Sequence, residues 1–300
     1  MDMKIAAVVV TYNRCDMLKQ CIEKLLAQTV PCDILAVDNA STDGTAEYLS
    51  GLGERRVSCL RMSENTGGAG GFYAGIRKAF EDGYELLWLL DDDTFPENDA
   101  LERLVEAGNS LNGNYGWLSS KALWTDGGIC RMNVQRITPY KDLKEFDGEM
   151  KVCCMASFVS LLLPAETVRK YGCPVKDFFI WSDDWEYTRR VSRHEQCFMV
   201  PDSIVIHAMK RNTVADIAED SPDRLPRYRY LYRNDVYLYR REGIIGWVWL
   251  IMKDCWHSFK VLTRRRTDRR AALRIIWSGF REGVKFLPAA ETGELDKGKV

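Results

Sequence analysis

A chain of 300 residues, 46% apolar and 28% charged, is an ordinary globular composition, long enough for one large α/β domain or one domain with an appendage. The formal net charge of −1 points to no partner until it is resolved along the chain, and ten cysteines without a CxxC pair read as reduced thiols of a cytosolic protein rather than a disulfide framework. Met1 to Val10 runs straight into a strand, so no secretory leader is expected, and the longest apolar stretch, near 243–252, has about half the length a bilayer demands, so no segment is expected to span a membrane.

Lys4 to Val10 is a β-rich run followed by the polar loop Thr11-Tyr12-Asn13-Arg14, and Met17 to Gln28 carries apolar residues at helical spacing. A second strand, Asp33 to Val37, ends in Asp38-Asn39-Ala40-Ser41-Thr42-Asp43-Gly44-Thr45, where Ser41 or Thr42 is expected to cap a short helix. Val57 to Met62 is a third strand. It leads into Asn65-Thr66-Gly67-Gly68-Ala69-Gly70-Gly71-Phe72 and a helix to about Phe80. This glycine run fails the dinucleotide fingerprint, because Tyr73 stands where glycine is needed, and it fails the Walker pattern. Two roles stay open for it: backbone N–H groups offered to an anionic or sugar ligand, or close helix–strand packing.

Leu86 to Leu90 is a strand buried on both faces, and Asp91-Asp92-Asp93 follow at its C-terminal end, with Pro96 suited to the first position of a helix through Ala107. Adjacent carboxylates repel unless a cation or a set of donors compensates. Alternation lets Asp91 and Asp93 point the same way, and two hard oxygen ligands suit Mg²⁺ or Mn²⁺; a solvated acidic turn capping the helix is the alternative. Strand and helix alternate up to this point, so a mostly parallel sheet is expected, with the polar loops gathered on one rim.

Between 108 and 150 the pattern loosens, and 125–149 reads as an insertion that covers or shapes an acceptor site. Met155 to Leu163 is expected as a strand and 164–171 as a short helix. Phe178 to Arg190 then places Ser182 as a cap and Asp183, Asp184 and Glu186 in a first helical turn, beside an aromatic wall of Phe179, Trp181 and Trp185 that suits a sugar-sized pocket. Strands follow at 197–200 and 203–207. His207 ends the second and is placed to reach the Asp91/Asp93 rim and complete a metal site, although a lone histidine is commonly structural. From 224 to 281 there are 15 basic and 4 acidic residues, a net of +11, on helices that also carry Trp247, Trp249, Trp256 and Phe259 and lead into Arg264-Arg265-Arg266. Such helices bind an anionic membrane interface or nucleic acid, or pack as an accessory domain with a solvated basic face; no nucleic-acid module pattern accompanies them. The chain is therefore expected to divide into an α/β region, 1–215, and a helical basic/aromatic region, 216–300.

Residues 8–14 (VVVTYNR), 37–45 (VDNASTDGT), 64–72 (ENTGGAGGF), 89–96 (LLDDDTFP), 181–187 (WSDDWEY) and the strand end at His207 together resemble the inverting family 2 glycosyltransferases of GT-A fold, in the bacterial rhamnosyl- and galactofuranosyltransferase branch. The resemblance covers about residues 4–210 and the Arg233-Asn234 stretch. It implies a Rossmann-like, mostly parallel α/β sheet with flanking helices, plus a C-terminal helical region. It implies that Thr11, Tyr12, Asp38, Asn65, Gly68, Gly70, Gly71 and Asp92 line the nucleotide-sugar donor, with Arg14 near its phosphates. Asp93 and His207 would hold the divalent cation, with Asp91 near the ribose or on the same metal; Asp184 would be the catalytic base, and Asp183, Trp181 and Trp185 would shape the acceptor site. The expected reaction moves a sugar from a UDP- or dTDP-linked donor, UDP-galactofuranose favoured and dTDP-rhamnose the alternative, to a glycan or lipid-linked glycan acceptor in cell-surface polysaccharide synthesis. The enzyme would be cytoplasmic, with peripheral membrane contact through the C-terminal helices, and no nucleic-acid partner is expected. A nucleotidyltransferase would begin with a glycine-rich basic loop, which Thr11 to Arg14 lacks. A non-catalytic nucleotide-sugar sensor would not need the acidic pair at 183–184.

Overall fold

A computed structural model describes residues 3–264 and 268–288. Strand β1 (Ile5–Thr11) is flanked in parallel by β2 (Asp33–Asp38) and β4 (Leu86–Asp91), and β3 (Val57–Arg61) pairs in parallel with β2. The crossovers are the helices α1 (Cys15–Leu26), α2 (Thr45–Gly51) and α3 (Gly67–Glu81). After β4 come the short strand β5 (Thr94–Pro96), helix α4 (Ala100–Ser110) and β6 (Leu118–Leu123). The insertion folds as a hairpin of β7 (Arg136–Thr138) and β8 (Lys141–Asp142), and is followed by β9 (Lys151–Val152) and β10 (Leu161–Pro164). Helices α5 (Ala165–Tyr171) and α6 (Asp183–Ser192) precede β11 (Phe198–His207). The main sheet runs β3-β2-β1-β4-β10-β6-β11-β5, with β9 also on β11.

Alternation along β1 explains the layers. Ile5, Ala7 and Val9 pack with Leu18, Ile22 and Leu25 of α1 and Leu101 and Leu104 of α4; Ala6, Val8 and Val10 pack with Phe72, Ile76 and Ala79 of α3, and with Val168 and Tyr187. Both faces are thus covered, and the loops after β1, β2 and β4 emerge on one rim.

The sheet is mostly parallel, yet β10 enters antiparallel between β4 and β6, and β5 runs antiparallel to β11. Pro96 does not open a helix: it ends the edge strand β5, where a missing N–H is tolerated. The strand expected from Met155 shrinks to Leu161–Pro164 because Ser160 turns the chain at φ 60°. The strands expected at 197–200 and 203–207 are one strand with a register shift between Val200 and Ile204. Neither Ser41 nor Thr42 caps α2. Gly44, at φ 86°, precedes that helix, and Asp43 Oδ1 accepts from the Thr45 hydroxyl at 2.6 Å.

Helices α7 (Leu225–Tyr239), α8 (Gly243–Thr263) and α9 (Arg269–Lys285) pack on one another through Tyr228, Tyr232, Val261, Ala272 and Ile276. They also pack back onto the sheet domain, through Met155 and Trp185 against Val236, Leu238 and Leu250, and through Ala69 and Phe178 against Tyr237. Of the triple arginine, Arg265 and Arg266 lie outside the described residues.

Candidate active site

The central strand β4 delivers Asp91 to the rim, and a tight turn through Asp92 and Asp93 leads into β5. The pairing of β5 with β11 sets Thr94 opposite His207, and the Ala208 N–H donates to the Asp93 carbonyl at 2.9 Å. That register, rather than the helix expected at Pro96, carries His207 to the aspartates. Nε2 of His207 lies 3.0 Å from Asp93 Oδ1. Asp91, Asp93 and His207 each offer a ligand atom, all within 4.8 Å of one another.

The other side of His207 is held by the insertion. Nδ1 lies 2.7 Å from Asn133 Oδ1, which also accepts from Cys130 Sγ at 3.0 Å, while Asn133 Nδ2 donates to Ser157 Oγ at 2.9 Å. With its amide so oriented, Asn133 accepts from Nδ1–H and leaves Nε2 aimed at the aspartates. An outer partner of this kind fixes the tautomer of a metal-binding histidine. Asn133 was not foreseeable from its neighbours in sequence; only its place in the insertion hinted at a role.

Asp92 lies outside the Asp91, Asp93 and His207 set and turns towards the β1 loop. Its Oδ2 accepts from Thr11 Oγ1 at 2.7 Å and its Oδ1 from Arg14 Nη1 at 3.0 Å, so both oxygens tie the β1 loop to the β4 turn. Arg14 Nη1 also donates to Asp93 Oδ2 at 2.6 Å. Arg14 is therefore clamped on the carboxylates, with half of its side chain exposed.

Across the site, helix α6 opens with Asp183 and Asp184. Asp184 Oδ1 accepts from the Trp185 N–H at 2.7 Å. The two acidic groups feel each other: burial raises Asp184 well above the ordinary carboxylate range, and the charges of Asp183 and Asp91 push it further the same way. Burial likewise lifts Asp183 to about 6. On the near side burial and the Asp93 charge push Asp91 up to about 7, against the pull of His207, and burial lifts Asp92 to about 6 despite Arg14. Burial also opposes ionisation of both Asp93 and His207, yet their contact wins: Asp93 is held below its ordinary value and His207 above its own. Five carboxylates thus face two cationic side chains, and three of the five sit next to each other. A divalent ion between Asp91, Asp93 and Nε2 would supply the missing charge, with two hard oxygens and one imidazole nitrogen as ligands. The donor set fits such an ion.

The remaining expected residues divide. Asp38 is wholly buried, its Oδ1 accepting from the Ser41 N–H at 2.8 Å and its Oδ2 facing Arg61 Nη1 at 3.3 Å without a well-aligned hydrogen bond. Tyr12 is exposed on the rim. Asn65 Oδ1 accepts from Asn39 Nδ2 at 3.1 Å and from the Gly67 N–H at 2.9 Å, which shapes the glycine turn. Of the three glycines expected at the donor, Gly68 faces open space, whereas a Cβ on Gly70 would meet Thr66 at 2.3 Å and one on Gly71 would meet Val10 at 2.5 Å. Gly71 serves the close packing of α3 on β1, and Gly70 leaves room for the Thr66 side chain at the start of α3. Ser182 does not cap α6 with its side chain; its hydroxyl donates to Asp235 at 2.7 Å. Glu186 is a buried partner of Arg190 rather than a rim group. Trp181 packs against Tyr228, Phe179 stacks on Tyr230, and Trp185 lies under the Arg136 guanidinium at 3.7 Å, so much of the aromatic wall is committed to the seam with the insertion and the C-terminal helices.

Residues 6–112 match the family model described as glycosyl transferase family 2. An undecaprenyl-phosphate mannosyltransferase of Micrococcus luteus is 31% identical over 107 residues, 35% of this chain and 44% of that protein. Galactofuranosyltransferase GlfT1 of Mycobacterium tuberculosis is 25% identical over 305 residues, covering 90% of this chain and 97% of the relative. Among solved structures, the mannosyltransferase PcManGT from Pyrobaculum calidifontis, in complex with GDP-Man and Mn²⁺, superposes with a TM-score of 0.58 at 15% identity, over 95% of this chain and 76% of that one. The N-terminal part of the chain is a family 2 glycosyltransferase domain on a GT-A fold, and the chain is a glycosyltransferase.

Proposed function

We propose that this glycosyltransferase moves a sugar from a nucleoside-diphosphate donor, UDP-galactofuranose in first place, to a hydroxyl of a glycan or lipid-linked glycan, with inversion and with a divalent cation. The observation that carries this is the convergence of Asp91, Asp93 and His207 opposite Asp184. The full-length similarity to a galactofuranosyltransferase supports the choice of donor.

A cation held by Asp91, Asp93 and His207 would neutralise charge on the departing diphosphate. The remaining work falls to the chain. Asp184 takes the proton of the acceptor hydroxyl as that oxygen bonds to the sugar C1; the C1–O bond to the diphosphate breaks on the opposite face, and the nucleoside diphosphate leaves. Burial and the charges of Asp183 and Asp91 raise the proton affinity of Asp184, in keeping with a base role. Arg14, half exposed beside Asp92 and Asp93, is placed to meet phosphate oxygens. Gly68 and the Asn65 turn lie at the N-terminus of α3, where backbone N–H groups favour an anion.

The C-terminal helices support a lipid-linked acceptor. On α8 the side chains of Ile244, Ile245, Val248, Met252, Trp256, Phe259 and Leu262 are exposed along one helical stripe, in the strongly basic part of the chain. Among the described residues no helix is long and apolar enough to cross a membrane. A stripe of this kind suits the interface of an anionic bilayer, where a lipid-linked acceptor would be held.

Donor consumption with an acceptor mixture tests the reading. Asp184→Asn abolishes turnover and spares donor binding; wild-type turnover in this variant removes Asp184 as the base, and donor binding without any consumption makes the protein a sensor instead.

A further inference from the structure

The backbone leading into the acidic pair is held in a conformation that residues with a Cβ disfavour. Phe179, Trp181 and Ser182 have φ of 66°, 66° and 65°. Such a run persists only where its surroundings over-determine it, and it is a common companion of functional sites. Here the surroundings are three consecutive residues of α7. Asn234, fully buried, directs Nδ2 at the carbonyls of Phe178, Ile180 and Trp181 at 3.0, 3.1 and 2.9 Å. Arg233 Nη2 donates to the carbonyls of Asp177 and Phe178 at 2.6 and 3.1 Å, and its Nε holds the Asn234 side-chain oxygen at 3.0 Å. Asp235 Oδ1 accepts from the Ser182 hydroxyl, and its Oδ2 is paired with Lys253 of α8, which reaches in between the rings of Tyr232 and Tyr239.

The diverted hydroxyl matters for the chemistry. A serine preceding a helix ordinarily accepts from the first-turn N–H groups. With Ser182 turned to Asp235, those N–H groups are left to the acidic pair, and the Trp185 N–H goes to Asp184. Neither Asn234 nor Asp235 reaches the rim; they act through the turn that aims α6.

We propose that Asn234 and Asp235 are positioning residues: they hold the turn with positive φ at Phe179, Trp181 and Ser182 so that Asp183 and Asp184 face Asp91, and Lys253 locks Asp235 in that role. The proposal rests on Asp184 being the base. Its test uses the full chain, with Asn234→Ala, Ser182→Ala, Asp235→Ala and Asp235→Asn, and with Asp184→Asn in parallel. The readouts are kcat, KM for the donor, Mn²⁺-dependent binding of UDP or dTDP, and thermal melting. A misplacement of about 1 Å costs on the order of 10²-fold in rate, so Asn234→Ala lowers kcat by roughly that factor while nucleotide affinity stays within about twofold. Ser182→Ala, which deletes one hydroxyl and keeps the fold, lowers kcat in the same selective way. Asp235→Asn, which still accepts from Ser182, recovers most of what Asp235→Ala loses. Wild-type kcat in Ser182→Ala and Asn234→Ala overturns the proposal. So does a parallel fall of kcat, nucleotide affinity and melting temperature, or an Asp235→Asn no better than Asp235→Ala. Full turnover in Asp184→Asn instead overturns the base assignment itself, a different failure.

Discussion

Gly67 joins the donor-side glycine turn to the acidic turn, and its replacement is the sharpest test of that packing. Its φ is +72°, and a Cβ built on it would lie 2.0 Å from the Phe179 carbonyl oxygen and 2.6 Å from the carbonyl carbon. Three costs follow for Gly67→Ala. Left-handed backbone disfavours a residue with a Cβ by about 1–2 kcal/mol. The overlap is with backbone, which no rotamer relieves, and overpacking of this kind costs about 1–3 kcal/mol. The Ala69 N–H bond to the Phe179 carbonyl, 3.2 Å long, is stretched or lost, worth roughly 0.5–1.5 kcal/mol. Together these come to about 3–6 kcal/mol, a large part of the 5–15 kcal/mol that holds a typical protein folded. At roughly 2–4 °C per kcal/mol, Tm falls by on the order of 6–24 °C. Gly68→Ala is the control: its Cβ meets nothing within 4 Å, so it should leave Tm unchanged or raise it slightly. Thermal melting by circular dichroism, with turnover measured well below the lower Tm, decides the matter. If Gly67→Ala melts with Gly68→Ala, the two turns are not packed as described.

Asp93→Ala removes a carboxylate that holds both Arg14 and His207, and should lower Mn²⁺-dependent nucleotide affinity at least tenfold by calorimetry while leaving the fold intact by circular dichroism. The same contacts set a pH dependence. Asp93, held below its ordinary value, contributes stability above the usual carboxylate range that is lost at more acid pH; His207, held above its own, contributes stability below about pH 6.5 that is lost on the alkaline side, and Asp91, raised to about 7, subtracts stability as pH climbs towards 7. Metal-free protein should therefore lose Tm from mildly acid to alkaline pH, and saturating Mn²⁺ should blunt that loss, because the ion replaces the proton on His207. On α8, Ile245→Glu with Trp256→Glu should weaken co-sedimentation with anionic vesicles by roughly 10²-fold or more, each side chain forfeiting about 1.5–3 kcal/mol of apolar transfer. Unchanged sedimentation would remove α8 as the docking face.

The parts of this protein that sequence reveals are those specified locally. Apolar runs such as Leu86 to Leu90 mark the strands, and the polar residues after them mark the rim, so the α/β class and the Asp91–Asp93 turn were readable. So was the approach of His207, though for an incomplete reason. What escaped depends on pairing between distant segments. The three residues Thr94–Pro96 carry too little pattern to reveal a strand, and only their register with 205–207 shows it. Asn133 is one of many polar residues in a loose insertion until His207 is placed against it. Ser182 looks like a cap because its neighbours look like a helix start, and nothing nearby reveals that Asp235, 53 residues on, takes its hydroxyl. The glycines show the same ambiguity: Gly68 is open and Gly71 lies against Val10, yet both belong to one run.

Calorimetric titration of the purified protein with UDP and with dTDP, each with and without Mn²⁺, tests the central claim most directly. The proposed function requires nucleotide binding that depends on Mn²⁺ and favours UDP. Tighter dTDP binding would transfer the donor assignment to dTDP-rhamnose, and absence of binding to either nucleotide in the presence of Mn²⁺ would contradict a nucleotide-sugar site at Asp91, Asp93 and His207.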